Sequence, residues 1–227
     1  MKYDRIGIVI ADDCEFEPLR DFAERVGCEK VRLGGMECVR FERSGALVSA
    51  VLCGVGKVNA ASAAAFLIAD GAKLLINTGY SGGINRIARG QTTLVTRFVE
   101  HDFDLTPLGY RPAEKPAQQW IYDADGYANS VAKRLFPQLV EGVAVCGDCF
   151  VSDDDKRARL KSLFDAVSCD MESAAVASVG FKAGVGTLAL RRISDDTGDN
   201  AGGIYREEIS VIGTSMTDMV IAVIDAL

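Results

Sequence analysis

Short runs of apolar, β-branched residues recur along the chain and alternate with stretches of helical character. The clearest run, Arg5–Ala11, is continuously apolar after its first residue, which predicts a strand buried on both faces, as in a parallel sheet. Further strands are predicted at residues 30–33, 39–42, 46–52, 73–77, 92–99, 142–146, 164–168 and 186–193. Helices are predicted at residues 15–26, 57–70, 125–136, 153–164 and 173–182, and from Tyr205 to the end of the chain.

The alternation of strands and helices continues over the whole length without a linker or an internal repeat. It predicts an α/β fold in a single domain spanning residues 1–227. We expect a three-layer α/β/α arrangement with a central mixed β-sheet between helices.

Glycines and acidic residues collect where the predicted strands end. They occur at Glu15, at 53–56, at 77–83, at Gly147 and Asp148, at Met171 and Glu172, and at Ser194 and Asp195. In a parallel sheet these ends lie on one side, where ligands bind. Taken alone, each acid is more simply explained as a helix-start or capping residue, so a polar ligand site depends on their occurring together.

Composition narrows the possible partners. The formal net charge is −7 and the isoelectric point is near 4.9, which argues against nucleic acid. No run approaches the roughly 20 apolar residues of a membrane span. The seven cysteines form an odd set, and the N-terminus leads directly into a predicted strand without a signal peptide. We therefore expect free thiols and a cytoplasmic location.

Motifs for common cofactors are missing. Gly54-Val55-Gly56-Lys57 lacks the spacing of a dinucleotide-binding loop, and nothing matches a P-loop. His101 is the only histidine, which excludes a histidine-rich metal site. Cys146 and Cys149 form a C-x-x-C pair. A zinc site would need a second ligand pair, and a thioredoxin-like redox pair would follow the first strand of a much smaller fold, so a metal or redox role is disfavoured. We expect no metal and no cofactor.

The order and spacing of the motifs resemble the purine nucleoside phosphorylase superfamily, and most closely its 5′-methylthioadenosine/S-adenosylhomocysteine nucleosidases. The resemblance covers nearly the whole chain. The motifs that carry it are Ile6-Gly7-Ile8 followed by Glu15; Gly54-Val55-Gly56-Lys57-Val58; Asn77-Thr78-Gly79 with Gly82-Gly83; His101-Asp102 with Asp104, Thr106 and Gly109-Tyr110; Gly147-Asp148 with Phe150; Met171-Glu172; and Arg191 with Ile193-Ser194-Asp195.

The resemblance implies hydrolysis of an N-glycosidic bond, which yields adenine and a 5-thio-substituted ribose. Glu15 would activate the attacking water, and Asp195, oriented by Ser194, would protonate N7 of the leaving adenine. The chemistry suits these residue types, because a carboxylate stabilises an oxocarbenium-like transition state and a leaving purine needs a proton. Asp195 would need a raised pKa, to which Asp196 could contribute.

The resemblance also implies a set of substrate-binding residues. Glu172 would hold the ribose hydroxyls with Met171 against the sugar, Phe150 would stack on the base, and the backbone of Val151 would bond the purine edge. Gly82 and Val55 would line the same site. The 5′-alkylthio pocket would be formed by Leu105, Leu108 and Tyr205.

Tyr80 after Asn-Thr-Gly and Asp12 three positions before Glu15 depart from the family pattern, and Asp196 and Asp199 add acid to the loop after the last strand. Asp12 would repel an anionic 5′ group, which disfavours futalosine-type substrates. The acidic run from Asp12 to Glu15 would also repel phosphate, which favours hydrolysis over phosphorolysis. An adenosine hydrolase, a futalosine hydrolase, a purine phosphorylase and a non-catalytic nucleoside-binding protein remain as alternatives.

The expected partners are a purine nucleoside and water. By resemblance, the protein would be a homodimer that serves methionine salvage. The segment 106–120, which holds three of the five prolines, would close the pocket of the neighbouring subunit.

Overall fold

The computed structural model describes residues 2–198 and 216–227. The strands are β1 (Arg5–Ile10), β2 (Glu29–Leu33), β3 (Met36–Arg43), β4 (Ala46–Leu52), β5 (Leu74–Gly83), β6 (Thr92–Glu100), β7 (Ile121–Asp123), β8 (Val140–Cys146), β9 (Ala166–Asp170) and β10 (Gly186–Asp195). The helices are α1 (Asp13–Val26), α2 (Lys57–Ala69), α3 (Gly126–Leu135), α4 (Asp154–Phe164), α5 (Ser173–Ala183) and α6 (residues 216–226). A 3-10 turn spans Thr106–Leu108.

One mixed sheet connects these strands in the order β10-β6-β8-β9-β5-β1-β4-β3-β2, with β7 beside β6. The pairs of β1 with β4 and with β5 are parallel, whereas β2, β3 and β4 form an antiparallel meander. The predicted α/β fold with a central mixed sheet is confirmed. The structure adds that β10 pairs with β5 as well as β6, so that β5, β9, β8, β6 and β10 close into a ring.

The closure depends on the length of β5, which the pattern predicts only for residues 73–77. The strand continues to Gly83 because it remains paired with β10 and meets β9 beyond the end of β1. Glycine in a strand often marks a close approach. A Cβ on Gly82 would lie 2.2 Å from Cγ2 of Thr197, so the glycine allows the loop after β10 to pack onto β5.

The central strands are buried on both faces, as the unbroken apolar runs predict. Ile8 of β1 packs in the apolar cluster that also contains Phe16 of α1 and Val220 of α6, whereas the next residue, Val9, packs in a second cluster with Leu67 of α2. Consecutive strand residues point to opposite faces, so the two clusters lie on either side of the sheet. Within residues 2–198 and 216–227, no helix has the length and apolar character to cross a membrane.

Candidate active site

The carboxyl ends of the central strands open into a cavity of about 890 Å³, a volume that includes its open mouth. Nine of the predicted site residues line it: Glu15, Val55, Gly82, Phe150, Val151, Met171, Glu172, Ser194 and Asp195. These residues come from positions spread over most of the chain. The expectation that acids at strand ends meet on one side of the sheet is therefore met by the geometry.

Glu15 lies in the first turn of α1 with its carboxylate in the cavity. Asp12 is the N-cap of this helix, and its backbone N–H donates to Oε2 of Glu15 at 3.3 Å in a capping box. The backbone N–H of Tyr80 donates to Oε1 at 2.6 Å. Burial raises the pKa of Glu15 to about 7, although Arg191 and the Tyr80 N–H act in the opposite direction.

Gly79 makes room for this carboxylate. Its φ is +153°, and a Cβ built on it would lie 2.6 Å from Oε1 of Glu15. The glycine thus lets the backbone of β5 approach the acid and deliver the N–H of the following residue.

Glu172 stands at the start of α5 and is 3% exposed. The N–H of Gly56, before α2, donates to Oε1 at 3.0 Å, and Nη2 of Arg191 donates to Oε2 at 3.1 Å. Burial raises the pKa of Glu172, and the opposing effect of Arg191 is smaller. The starts of α2 and α5 and the strand β10 therefore position the carboxylate of Glu172.

Arg191 is a buried cation in the cavity wall. It lies in β10, is 2% exposed, and donates to the carbonyl oxygen of Tyr80 at 2.5 Å and to Oδ1 of Asn77 at 3.3 Å. Its Nε also lies 3.6 Å from Oδ2 of Asp170, whose Oδ1 accepts the N–H groups of Glu172 and the residue after it. The sequence motifs include Arg191 but assign it no role, and its contacts with the two carboxylates required the fold.

Asp195 ends β10 and is 2% exposed. The hydroxyl of Ser194 donates to Oδ2 at 2.8 Å, and the N–H of Thr197 donates to Oδ1 at 2.9 Å. Burial raises the pKa of Asp195, the two hydrogen bonds oppose the rise, and the charge of Asp196 adds to it. The raised pKa expected for this residue is thus present, with burial as its main cause.

Phe150 and Val151 lie after β8 and form another wall of the cavity. Val151 is buried and Phe150 is 47% exposed. Asp148 anchors their loop, because its N–H donates to Oδ2 of Asp102 at 2.9 Å and its Oδ1 accepts the N–H of Lys57 at 2.8 Å. The Gly-Asp motif thus ties this loop to the start of α2.

Cys149 lines the cavity and its Sγ accepts a hydrogen bond from Nζ of Lys156 at 2.9 Å, whereas Cys146 is buried. Both are free thiols. In the part of the chain that the structure describes, no group of three or more His, Cys, Asp or Glu residues is arranged to hold a metal ion.

Two residues predicted for the 5′ pocket are not brought to this cavity by the single chain. Leu105 and Leu108 flank and end the 3-10 turn, and Leu108 is 71% exposed. Tyr205, and the predicted start of the last helix with it, lies outside the described residues.

The cavity also contains residues to which the sequence assigned no role. Asp170, Arg191, Cys149, Cys169 and Thr197 line it. The departures Asp12 and Tyr80 do so as well, and Tyr80 additionally borders a narrower cavity behind Glu15. The sequence drew attention to Asp12 and Tyr80 as breaks in an expected pattern, to Arg191 as part of a motif and to Cys149 as part of the C-x-x-C pair, but it did not place any of them in the site.

Residues 5–226 match the family profile described as the phosphorylase superfamily. A 5′-methylthioadenosine/S-adenosylhomocysteine nucleosidase of Exiguobacterium sp. is 31% identical over 96% of this chain and 97% of that protein. The aminodeoxyfutalosine nucleosidase of Campylobacter jejuni is 33% identical over 65% of this chain and 67% of that protein. Among solved structures, a mutant of the Helicobacter pylori 5′-methylthioadenosine/S-adenosylhomocysteine nucleosidase with 5′-methylthioadenosine in its active site has a TM-score of 0.94. Its sequence is 26% identical to that of this chain, and the superposition covers 99% of each of the two chains.

The fold, the profile match and the composition of the cavity together place the chain in the phosphorylase superfamily. The similarity to the Exiguobacterium protein extends over nearly the full length of both chains and indicates the family within this superfamily. Within that superfamily, the chain belongs to the 5′-methylthioadenosine/S-adenosylhomocysteine nucleosidase family.

Proposed function

We propose that this protein hydrolyses the N-glycosidic bond of 5′-methylthioadenosine, S-adenosylhomocysteine or both, releasing adenine and a 5-thio-substituted ribose. The observation that carries the proposal is the pairing of two carboxyl groups of raised pKa, Glu15 and Asp195, in one cavity with the buried carboxylate of Glu172. Titratable groups perturbed in this way inside a cleft are typical of acid–base catalysis.

In this proposal Glu15 is the general base. With a pKa of about 7 it is partly ionised at neutral pH and basic enough to take a proton from water. Two backbone N–H groups fix its orientation toward the cavity. The attacking water would lie between Glu15 and the anomeric carbon of the ribose.

Glu172 is the group that we assign to the ribose. Its carboxylate can accept hydrogen bonds from the sugar hydroxyls and stabilise positive charge on the ring as the glycosidic bond breaks. Arg191 keeps the carboxylate in place and balances part of its charge. Met171 packs beside it on the cavity wall.

Asp195 is the general acid that would protonate N7 of adenine. Its two oxygens are held by Ser194 and Thr197, so that the proton is presented from a fixed direction. Phe150 would cover the face of the base and Val151 would bond its edge. General acid catalysis of this kind typically contributes about 10²–10⁴-fold in rate.

Hydrolysis fits the charges of the cavity better than phosphorolysis does. Among the described residues that line it, Arg191 is the only Lys or Arg side chain, and that side chain already contacts Asp170 and Glu172. A phosphate cosubstrate would need a free cationic cradle. Water is therefore the nucleophile that we favour.

The direct test measures adenine release from 5′-methylthioadenosine, S-adenosylhomocysteine and adenosine, with and without inorganic phosphate. We expect phosphate-independent release from the two thioethers. In an Asp195→Asn variant, release should fall by about 10²–10⁴-fold, because the N–H protons of an amide are not acidic enough to be transferred to the leaving purine. Release that requires phosphate would favour a phosphorylase, and binding without release would favour a nucleoside-binding protein.

We further propose that the active form is a homodimer in the cytoplasm that serves methionine salvage. The dimer is supported by Leu108, which is exposed and lies outside its own cavity, in the segment that family resemblance assigns to the neighbouring pocket. A Leu108→Asp variant should shift the mass measured by light scattering toward the monomer and raise KM for the thioethers.

A further inference from the structure

Asp12 brings a carboxylate to the cavity wall without being part of the catalytic set. It is the N-cap of α1, its Oδ1 accepts the N–H of Cys14 at 3.0 Å, and its side chain is partly exposed along the cavity. In the capping box the side chain of Asp12 also meets the backbone N–H of Glu15. A carboxylate can accept about four hydrogen bonds, so these helix-capping contacts leave capacity for a ligand.

The position of Asp12 along the sheet indicates which part of a nucleoside would meet it. Asp12 follows β1, whereas Asp195 ends β10, and β5 lies between these two strands. If the base lies at Asp195 and Glu172 holds the ribose hydroxyls, the 5′ substituent extends along the remaining direction, toward the start of α1. Ala11 and Val55 line the same cavity.

Negatively charged residues outnumber positively charged ones on the wall of this cavity. The described acids on the cavity wall are Asp12, Glu15, Asp170, Glu172 and Asp195. The described cation that lines the cavity with them is Arg191, and its charge is paired with Asp170 and Glu172. Asp12 therefore has no cationic neighbour among the described residues that line the cavity, and a positive group on the ligand would supply one.

We propose that Asp12 is a specificity-determining residue that selects nucleosides whose 5′ substituent carries an ammonium group and disfavours those that carry a carboxylate alone. The ammonium would pair with the Asp12 carboxylate at the end of the cavity away from the base. This inference rests on the proposed function, since it assigns the 5′ end of the same substrate. It predicts that amino-acid thioethers are used well and that benzoate-bearing nucleosides are used poorly.

The test compares three thioether nucleosides of equal chain length, namely 5′-(3-aminopropylthio)-, 5′-butylthio- and 5′-(2-carboxyethylthio)-5′-deoxyadenosine. The measured quantities are the amine-to-butyl and carboxylate-to-butyl ratios of kcat/KM, from which pure chain-length effects cancel. In Asp12→Asn the amine ratio should fall about fivefold and the carboxylate ratio should rise by a similar factor, as expected for a solvent-accessible ion pair. Asparagine is also a good N-cap, so the start of α1 should be preserved.

The matched control is Asp13→Asn. Asp13 is the next residue, loses the same charge, and lies outside the cavity with its carboxylate 3.3 Å from Arg20. Both ratios should stay at their wild-type values in this variant. If Asp12→Asn does not fold, Asp12→Ser offers another neutral N-cap, and the wild-type amine ratio should itself fall as salt is raised.

The outcomes separate the two proposals. Adenine release with ratios that are the same in wild type and Asp12→Asn, or that change equally in Asp13→Asn, would overturn the role of Asp12 alone. No adenine release from any of the three nucleosides would overturn the proposed function and this inference with it.

Discussion

Replacing Glu15 with glutamine is the perturbation that most directly tests the site. The variant keeps the size of the side chain and one acceptor oxygen, but it can neither ionise nor accept a proton from water. Loss of a general base typically costs about 10²–10⁴-fold in rate. We expect kcat to fall by this factor and binding of a non-hydrolysable nucleoside analogue to be retained.

The pH profile supplies a second readout of the same residue. A base must be unprotonated, so the acidic limb of kcat/KM should have its midpoint at about pH 7, the pKa of Glu15 in the free protein. This limb should be missing from the residual activity of the Glu15→Gln variant. A limb at about pH 4.5 in the wild type would mean that the carboxyl is not buried as the structure has it.

As the pH rises from about 4.5 to 7, the free energy of unfolding should fall while the activity rises. The pKa of Glu15 is raised on folding from 4.5 to about 7, so the folded state binds this proton more tightly than the unfolded chain. The resulting stabilisation is fully present below about pH 4.5 and is lost as the pH rises to about 7. Its full size corresponds to about 3 kcal/mol, of which about 2–3 kcal/mol separates pH 5 from pH 8.

Glutamine carries no such titration. The Glu15→Gln variant should therefore gain about 2–3 kcal/mol relative to wild type between pH 5 and pH 8. For a chain of this size that is about 5–10 °C in Tm. A cost from the amide nitrogen facing one of the two N–H donors is independent of pH, so it cancels in this difference.

The assay is thermal unfolding of wild type and variant at both pH values, followed by circular dichroism. Glu17→Gln is the control, because Glu17 is an exposed residue of the same helix outside the cavity. If the wild type and Glu15→Gln lose the same stability from pH 5 to pH 8, the pKa of Glu15 is not raised on folding and this reasoning is refuted. Unchanged turnover in Glu15→Gln would remove the residue from the mechanism altogether.

Three further variants test the parts around the two acids. Ser194→Ala removes a hydrogen bond that lowers the pKa of Asp195. The basic limb of the pH profile of kcat should therefore move to higher pH. A shift of this limb to lower pH would contradict the role of the Ser194 hydroxyl as donor to Asp195. Gly79→Ala would place a Cβ 2.6 Å from Oε1 of Glu15, and we expect a loss of about 1–3 kcal/mol in thermal unfolding together with a lower kcat. Asp148→Ala removes the acceptor for the first backbone N–H of α2 and should raise KM about tenfold with a smaller effect on kcat. An effect on kcat alone would argue that Asp148 does not position the binding walls.

The elements of the fold were largely predictable because most of them are specified by local pattern. The apolar runs that became β1, β4 and β8 and the alanine-rich run that became α2 are close to their predicted limits. The predictions for α1 and β5 were less accurate. α1 begins at Asp13, before Glu15, because Asp12 caps it, and β5 runs on to Gly83.

The sequence by itself determined the alternation of strands and helices, the placing of acids at strand ends, and the order of motifs that identifies the family. These are local properties, since each depends on residues that are neighbours in the chain. The closure of β10 onto β5, the contacts of Arg191 with two carboxylates, the raised pKa values of Glu15 and Asp195, and the place of Asp12 in the cavity wall were decided only by the tertiary structure. The physical reason is that desolvation and charge pairing depend on what surrounds a group in space, and here the surrounding residues lie up to about 180 positions apart along the chain.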